Sequence, residues 1–175
     1  NMLYGIQIEG YLCLNMDSIK VLNHLAGGVT VTIEDDFSQS DKSLVKGKTV
    51  TLTDDQAMHY VHDRMNVGDG TNTCRMRRQK AYINALTPIY EEKLKADSGF
   101  INDFYNELSD YMVTDMSVGE MGNVANMILN SEDKGELSIK GTNAVAKDDG
   151  YNEFTMDETS RGDVAMELFF NKVEK

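Results

Sequence analysis

The period of apolar and polar positions changes repeatedly along this chain, and the changes predict short strands interleaved with helices. Apolar residues at Ile6, Ile8, Leu12 and Leu14, with Tyr11 and Cys13 among them, predict a strand over 6–15, mostly buried by its end. Asp17 stands where a helix cap belongs. Ile19, Leu22 and Leu25 follow at helical spacing, and Gly27-Gly28 stops that helix. Residues 29–33 alternate branched apolar and hydroxyl side chains, the pattern of a half-buried strand. Residues 34–46 read as polar loop with Glu34, Asp35 and Asp36 as solvated acids, since they lack the ligand spacing of a calcium loop. Residues 49–52 predict another short strand.

Thr53-Asp54-Asp55-Gln56 has the form of a capping box, in which the Thr hydroxyl accepts from the third amide and Gln56 reaches back. It predicts a helix over 54–63 that buries Ala57, Met58 and Val61 and leaves His62 and Arg64 at its C-terminal end. A loop with Gly68 and Gly70 follows. Asn72 or Thr73 then caps a helix whose first turns carry Arg75, Arg78 and Gln79 on one face. Pro88 kinks that helix or restarts it, with Thr87 as cap. Phe100, Ile101, Phe104, Tyr105, Leu108 and Met112 form a further helical stripe. Ser117 and Glu120 make a second capping box, with Met121, Val124, Ala125 and Ile128 facing inward. Leu137 and Ile139 suggest a strand, 141–150 a loop, and 151–156 a returning strand. Asp157 caps a last helix that buries Val164, Leu168 and Phe169. No internal repeat or low-complexity segment appears. The expectation is an α/β layered sandwich, a mixed central β-sheet flanked by helices, in a single domain over 1–175.

Charge changes this picture at one place. The chain carries 17 basic and 29 acidic residues, net −12. Between His62 and Lys80 stand Arg64, Arg75, Arg77, Arg78 and Lys80 against Asp63 and Asp69, a local +3 that leaves −15 on the rest. A guanidinium presents a planar fork matched to carboxylate or phosphate and stays charged at any working pH. Arginines at a helix start are locally unfavourable unless an anion lies between them and the free amides. The stretch therefore reads as an anion site, with phosphate as the natural ligand. Charge matching at a helix end explains His62 and Arg64 taken alone; Arg77 and Lys80 read as solvated. The acidic total argues against general nucleic-acid binding. The two cysteines, Cys13 and Cys74, are too few for a disulfide framework, and Cys13 reads as a buried thiol. No apolar run is long enough to span a bilayer.

Leu25-Ala26-Gly27-Gly28-Val29-Thr30-Val31, then residues 52–64 with Gln56-Ala57-Met58 and Tyr60-Val61-His62-Asp63-Arg64, then Arg75-Met76-Arg77-Arg78-Gln79 together resemble the LytR-CpsA-Psr family. That family has a GGV strand, an L-x-G/D-x-Q-A-L-x-Y-V-R-x-R segment and an R-x-x-R-Q segment in this order. The match is strongest over 1–96 and less specific over 97–175. The resemblance implies an extracytoplasmic, membrane-anchored phosphotransferase. Such an enzyme moves a glycopolymer (wall teichoic acid, capsular polysaccharide or similar) from a polyprenyl-pyrophosphate carrier to peptidoglycan, with Mg2+. The family has also been described as transcriptional attenuators. The resemblance assigns pyrophosphate binding to Arg64, Arg75, Arg78 and Gln79, with His62 at the position of the motif's first Arg.

A His is shorter than Arg, lacks the fork and carries charge only part of the time near neutrality. The resemblance also implies that the family's metal-holding aspartates, further arginines and core strands belong upstream of Asn1. No catalytic residue and no metal ligand is assigned within this chain, and it is expected not to catalyse transfer alone. A sheet lacking those strands leaves an edge exposed or pairs it with a second copy. The alternatives are a non-catalytic module for polyprenyl phosphates or wall polymers and, more remotely, a transcriptional regulator.

Overall fold

The computed structural model describes residues 4–5, 7–132, 134–145 and 150–170. The chain divides into two compact units: Gly10–Asn130, and Asn1–Glu9 with Ser131–Lys175.

The larger unit runs β1 (Leu12–Leu14), α1 (Ser18–Ala26), β2 (Thr30–Thr32), β3 (Thr49–Thr51), α2 (Asp54–His62), α3 (Asn72–Ala96), α4 (Phe100–Leu108), a 3-10 turn (Ser109–Tyr111), β4 (Met112–Thr114) and α5 (Val118–Leu129). The smaller unit holds β5 (Gly141–Val145), β6 (Asn152–Met156) and α6 (Glu158–Phe169). The α/β class is as expected. The strands pair as β1 with β4, β2 with β3 and β5 with β6, each antiparallel, so the described residues form three two-stranded sheets rather than one mixed sheet.

The core of the larger unit gathers Val29, Val31, Ile33, Phe37, Leu44, Leu52, Ala57, Tyr60, Val61, Val67, Tyr82 and Leu86. The expected alternation over 29–33 is present. Its outward Thr30 and Thr32 hydroxyls bond across the ladder to Thr51 and Thr49, at 2.7 and 3.0 Å. The inward register then continues past the strand, burying Asp35 and Phe37 as well. Residues 34–46 are therefore not simply a solvated loop: three of their side chains, Asp35, Phe37 and Leu44, belong to the interior.

Buried Asn23 ties α1 to its neighbours. Its Nδ2 donates to Leu52 O at 3.0 Å and to Asp54 Oδ1 at 2.8 Å, and its Oδ1 accepts from Val29 N at 3.1 Å. Gly27 closes α1 in the left-handed conformation, φ +79°, while Gly28 N–H donates to Asn23 O at 2.9 Å.

Several expectations are corrected. Ile6 lies outside the described residues, and the first strand is only Leu12–Leu14, whose leucines stay more than a third exposed; Cys13 on it is exposed and unbridged. A three-residue strand with a single three-residue partner covers too little surface to bury its own side chains. Asp17 makes no side-chain cap, and Asn15 Oδ1 accepts from Ser18 N at 3.1 Å instead. Thr71, not Asn72 or Thr73, caps α3 through Cys74 N at 3.2 Å. Pro88 lies inside a continuous 25-residue helix, and Thr87 Oγ1 donates back to Ile83 O at 2.9 Å rather than starting a new helix. Met112 begins β4 instead of extending the helical stripe. Val124 and Ile128 of α5 and Leu168 and Phe169 of α6 are exposed. Leu137 and Ile139 form no strand, whereas residues 141–145, read as loop, pair with β6. Residues 146–149 of that expected loop lie outside the described residues.

Candidate functional site

The Thr53 capping box forms as its sequence requires. Thr53 Oγ1 accepts from Gln56 N at 3.3 Å, and Gln56 Oε1 accepts from Thr53 N at 2.9 Å. With its start fixed, α2 ends at His62, and Asp63 takes extended backbone. The turn to α3 passes through positive φ at Asn66, Gly68 and Gly70. Asp69 steadies it, accepting from Thr71 N at 2.9 Å and Thr71 Oγ1 at 2.7 Å. Hydrogen bonds from the Cys74 thiol and from Thr71 hold the Asp69 carboxyl down at about 2.

The α2 and α3 helices are then stitched together by side chains of α3. Arg78, 2% exposed, donates from Nε to Tyr60 O at 2.8 Å, from Nη2 to Asp63 O, and from Nη1 to Asp35 Oδ2 at 2.8 Å. Its guanidinium lies over the Phe37 ring, 5.3 Å from the centroid. Gln79 Nε2 donates to Val61 O at 3.4 Å. The last carbonyls of a helix have no partner within it, and here Arg78 and Gln79 supply donors. Buried Asp35 accepts a second guanidinium, Arg77 Nη2 at 2.5 Å, while Arg77 Nε pairs with Glu34 at 3.2 Å. Arg77 is thus ion-paired, not merely solvated.

Above this junction opens a hollow of about 540 Å³ lined by Gln39, Ser40, His62, Asp63, Arg64, Met65, Asn66 and Arg75. The Arg64 guanidinium makes no hydrogen bond or ion pair with any described residue. Arg75 Nη2 donates to Asn72 Oδ1 at 2.7 Å, but its Nε is buried and unpartnered. Asp63 forms part of the wall. Its carboxylate accepts from Ser40 Oγ, faces His59 Nδ1 at 3.0 Å and lies 3.5 Å from His62 Nδ1. Burial pushes Asp63 upward, but the bonds from Ser40 and His59, the charge of His59 and the bond from His62 hold it below the ordinary carboxylate range.

Of the five expected residues, the structure brings His62, Arg64 and Arg75 to one hollow. Arg78 and Gln79 lie beneath it, with their polar groups bonded to protein carbonyls and to Asp35. Sequence reasoning missed Gln39, Ser40 and Asp63 as wall residues and Asp35 as the buried anchor. The inward alternation from Val29 to Phe37 was the signal available for Asp35. No group of three or more His, Cys, Asp or Glu side chains among the described residues could hold a metal ion. Among the same residues, no helix is long and apolar enough to cross a membrane.

Arg64, just past the end of α2, and Arg75, in the first turn of α3, line one hollow, and guanidinium groups have the fork geometry and fixed charge that suit an oxyanion. The chain is a member of the LytR_cpsA_psr family, whose model matches residues 1–169. It is 30% identical over 122 residues to the polyisoprenyl-teichoic acid–peptidoglycan teichoic acid transferase TagU of Enterococcus faecalis, a match covering 69% of this chain and 39% of that protein. The chain thus spans well under half the length of that relative. The crystal structure of B. subtilis TagV superposes with a TM-score of 0.69 at 19% identity, covering 98% of this chain and 68% of that one. A structure of TagT bound to LI-WTA gives 0.69 at 18% identity, covering 95% and 62%. At these identities the structural likeness bears on the fold.

Proposed function

We propose that this chain supplies the diphosphate-holding part of an extracytoplasmic, membrane-anchored transferase. That enzyme moves a teichoic-acid-type or capsular glycopolymer from a polyprenyl-pyrophosphate carrier to peptidoglycan. The observation that carries the reading is that the unpartnered guanidinium of Arg64 lines one hollow with Arg75, whose buried Nε also lacks a partner among the described residues. Family membership and the TagU match support the choice of substrate class. Phosphoryl transfer asks a protein chiefly for positioning and charge neutralisation. In this reading Arg64 and Arg75 neutralise the diphosphate oxygens and His62 adds a third donor. Arg78 and Gln79 position the α2 end that presents His62 and Arg64. Two confluent apolar hollows between α3 and α5, which share Tyr90, Leu94, Ala125 and Ile128, are suited to a carrier lipid.

Mg2+ is part of the proposal at the level of the family. Among the described residues no group of three or more His, Cys, Asp or Glu could hold the ion, and the role proposed for this chain is holding the diphosphate. The test is binding of a polyprenyl diphosphate by Arg64→Ala and Arg75→Ala. Each removes charged hydrogen bonds worth about 1.5–3 kcal/mol, so affinity should fall roughly 10–100-fold. Unchanged binding in both variants overturns the assignment.

A second reading, a non-catalytic module for the same ligands, is favoured by the short, titratable His62 in place of a forked Arg. Transfer of a lipid-linked polymer to peptidoglycan by the intact gene product decides between the two.

A further inference from the structure

The wall of the hollow carries a group that the diphosphate reading does not use. Asp63 directly follows α2, with its side chain 22% exposed, and two imidazoles meet its two oxygens: His59 at Oδ2 and His62 at Oδ1. Ser40 Oγ, from the segment between β2 and β3, also donates to Oδ2. The other charged groups facing the cluster are Arg64 from the following turn and Arg75 from α3; Gln39 and Ser40 bring no charge. Asp55, within electrostatic reach of His59, is itself paired with Lys20 Nζ at 2.6 Å.

With both imidazoles neutral, Asp63 offsets one of the two arginines, and the cluster of Arg64, Arg75, Asp63, His59 and His62 carries +1. With both protonated it carries +3. We propose that protonation of His59 and His62 around Asp63 sets the affinity of this hollow for phosphate-type anions, which tightens as the pH falls and loosens as it rises. Imidazole is the side chain whose ordinary titration falls between about pH 5 and 8. The sign follows from linkage: an anion favours the protonated cluster, so binding takes up protons and acid strengthens it. His62 stands where the resembling motif has a permanently charged Arg, so a fixed charge has become a titratable one. The inference rests on the diphosphate reading and deepens it.

The experiment is calorimetric titration of the whole chain with P1,P2-dimethyl diphosphate at constant ionic strength. This probe has no proton to lose in the working range. Affinity should be about tenfold greater near pH 5.5 than near pH 8. His62→Gln should shrink that ratio, and the His59→Gln, His62→Gln double variant should abolish it. His62→Arg should bind at both pH values with a reduced ratio. Wild-type binding that is flat with pH overturns the inference and leaves the arginine reading standing, as does a ratio that survives the double variant. No binding at either pH overturns the diphosphate reading itself.

Discussion

Arg78 and Arg75 stand three positions apart on one helix, yet they face opposite fates. Arg78 meets a carboxylate and two main-chain carbonyls in the interior; Arg75 reaches a hollow with one nitrogen orphaned. Removing one partner of a buried ion pair leaves an uncompensated charge, at a cost of about 3–5 kcal/mol. Arg78→Ala should therefore destabilise the fold by about that much in denaturant unfolding, because Asp35 keeps only Arg77 and the α2 carbonyls lose their donors. Arg78→Lys should recover little, since an ammonium cannot span Asp35, Tyr60 O and Asp63 O. Arg64→Ala, exposed and unpaired, should leave stability within about 0.5 kcal/mol. Charge alone marked both arginines as candidates. Which of them was free depended on Asp35, a residue whose burial follows from the β2 register and not from its own chemistry.

Some elements with strictly local signals formed where their residues indicated, although Asp17 does not cap α1 and Thr71 rather than Asn72 or Thr73 caps α3. Both capping boxes, Thr53 with Gln56 and Ser117 with Glu120, have their reciprocal bonds. The Gly27-Gly28 stop is another such case. Gly28 has φ +96°, and a Cβ there would stand 2.7 Å from Thr51 Cγ2 and 3.3 Å from Leu52 O. Gly28→Ala should thus combine backbone strain with a clash against β3 and cost at least about 1–3 kcal/mol, read as a fall in melting temperature. Pro88 shows the limit of local signals. A proline deletes a single helical hydrogen bond, and the contacts of Tyr82, Leu86, Ile89 and Tyr90 with the core hold α3 continuous across it.

For the molecule as a whole, sheet formation is where local reading fails most. Among the described residues, three separate two-stranded sheets leave strand edges without partners, and unpaired edges are templates for another strand. That supports, as a proposal, association with further strands or a second copy. β1 provides a direct check. Cys13 is exposed on it while Cys74 is buried in α3, and both are free. Under native conditions one thiol should react with a disulfide reagent at the rate of an open cysteine. The second should react only on unfolding, and Cys13→Ser should abolish the fast phase.

Sequence by itself determined the two capping boxes, the Asp157 cap, the stop at Gly27 and the alternation of β2, each set by residues within a few positions of one another. The gathering of guanidinium groups between His62 and Lys80 could be counted from the sequence directly. Tertiary structure alone decided that Asp35 is the partner of Arg78, and that Arg78 is held in the interior while Arg64 and Arg75 line a hollow. Those outcomes depend on side chains up to 43 positions apart meeting in space, a distance over which neither periodicity nor spacing carries information.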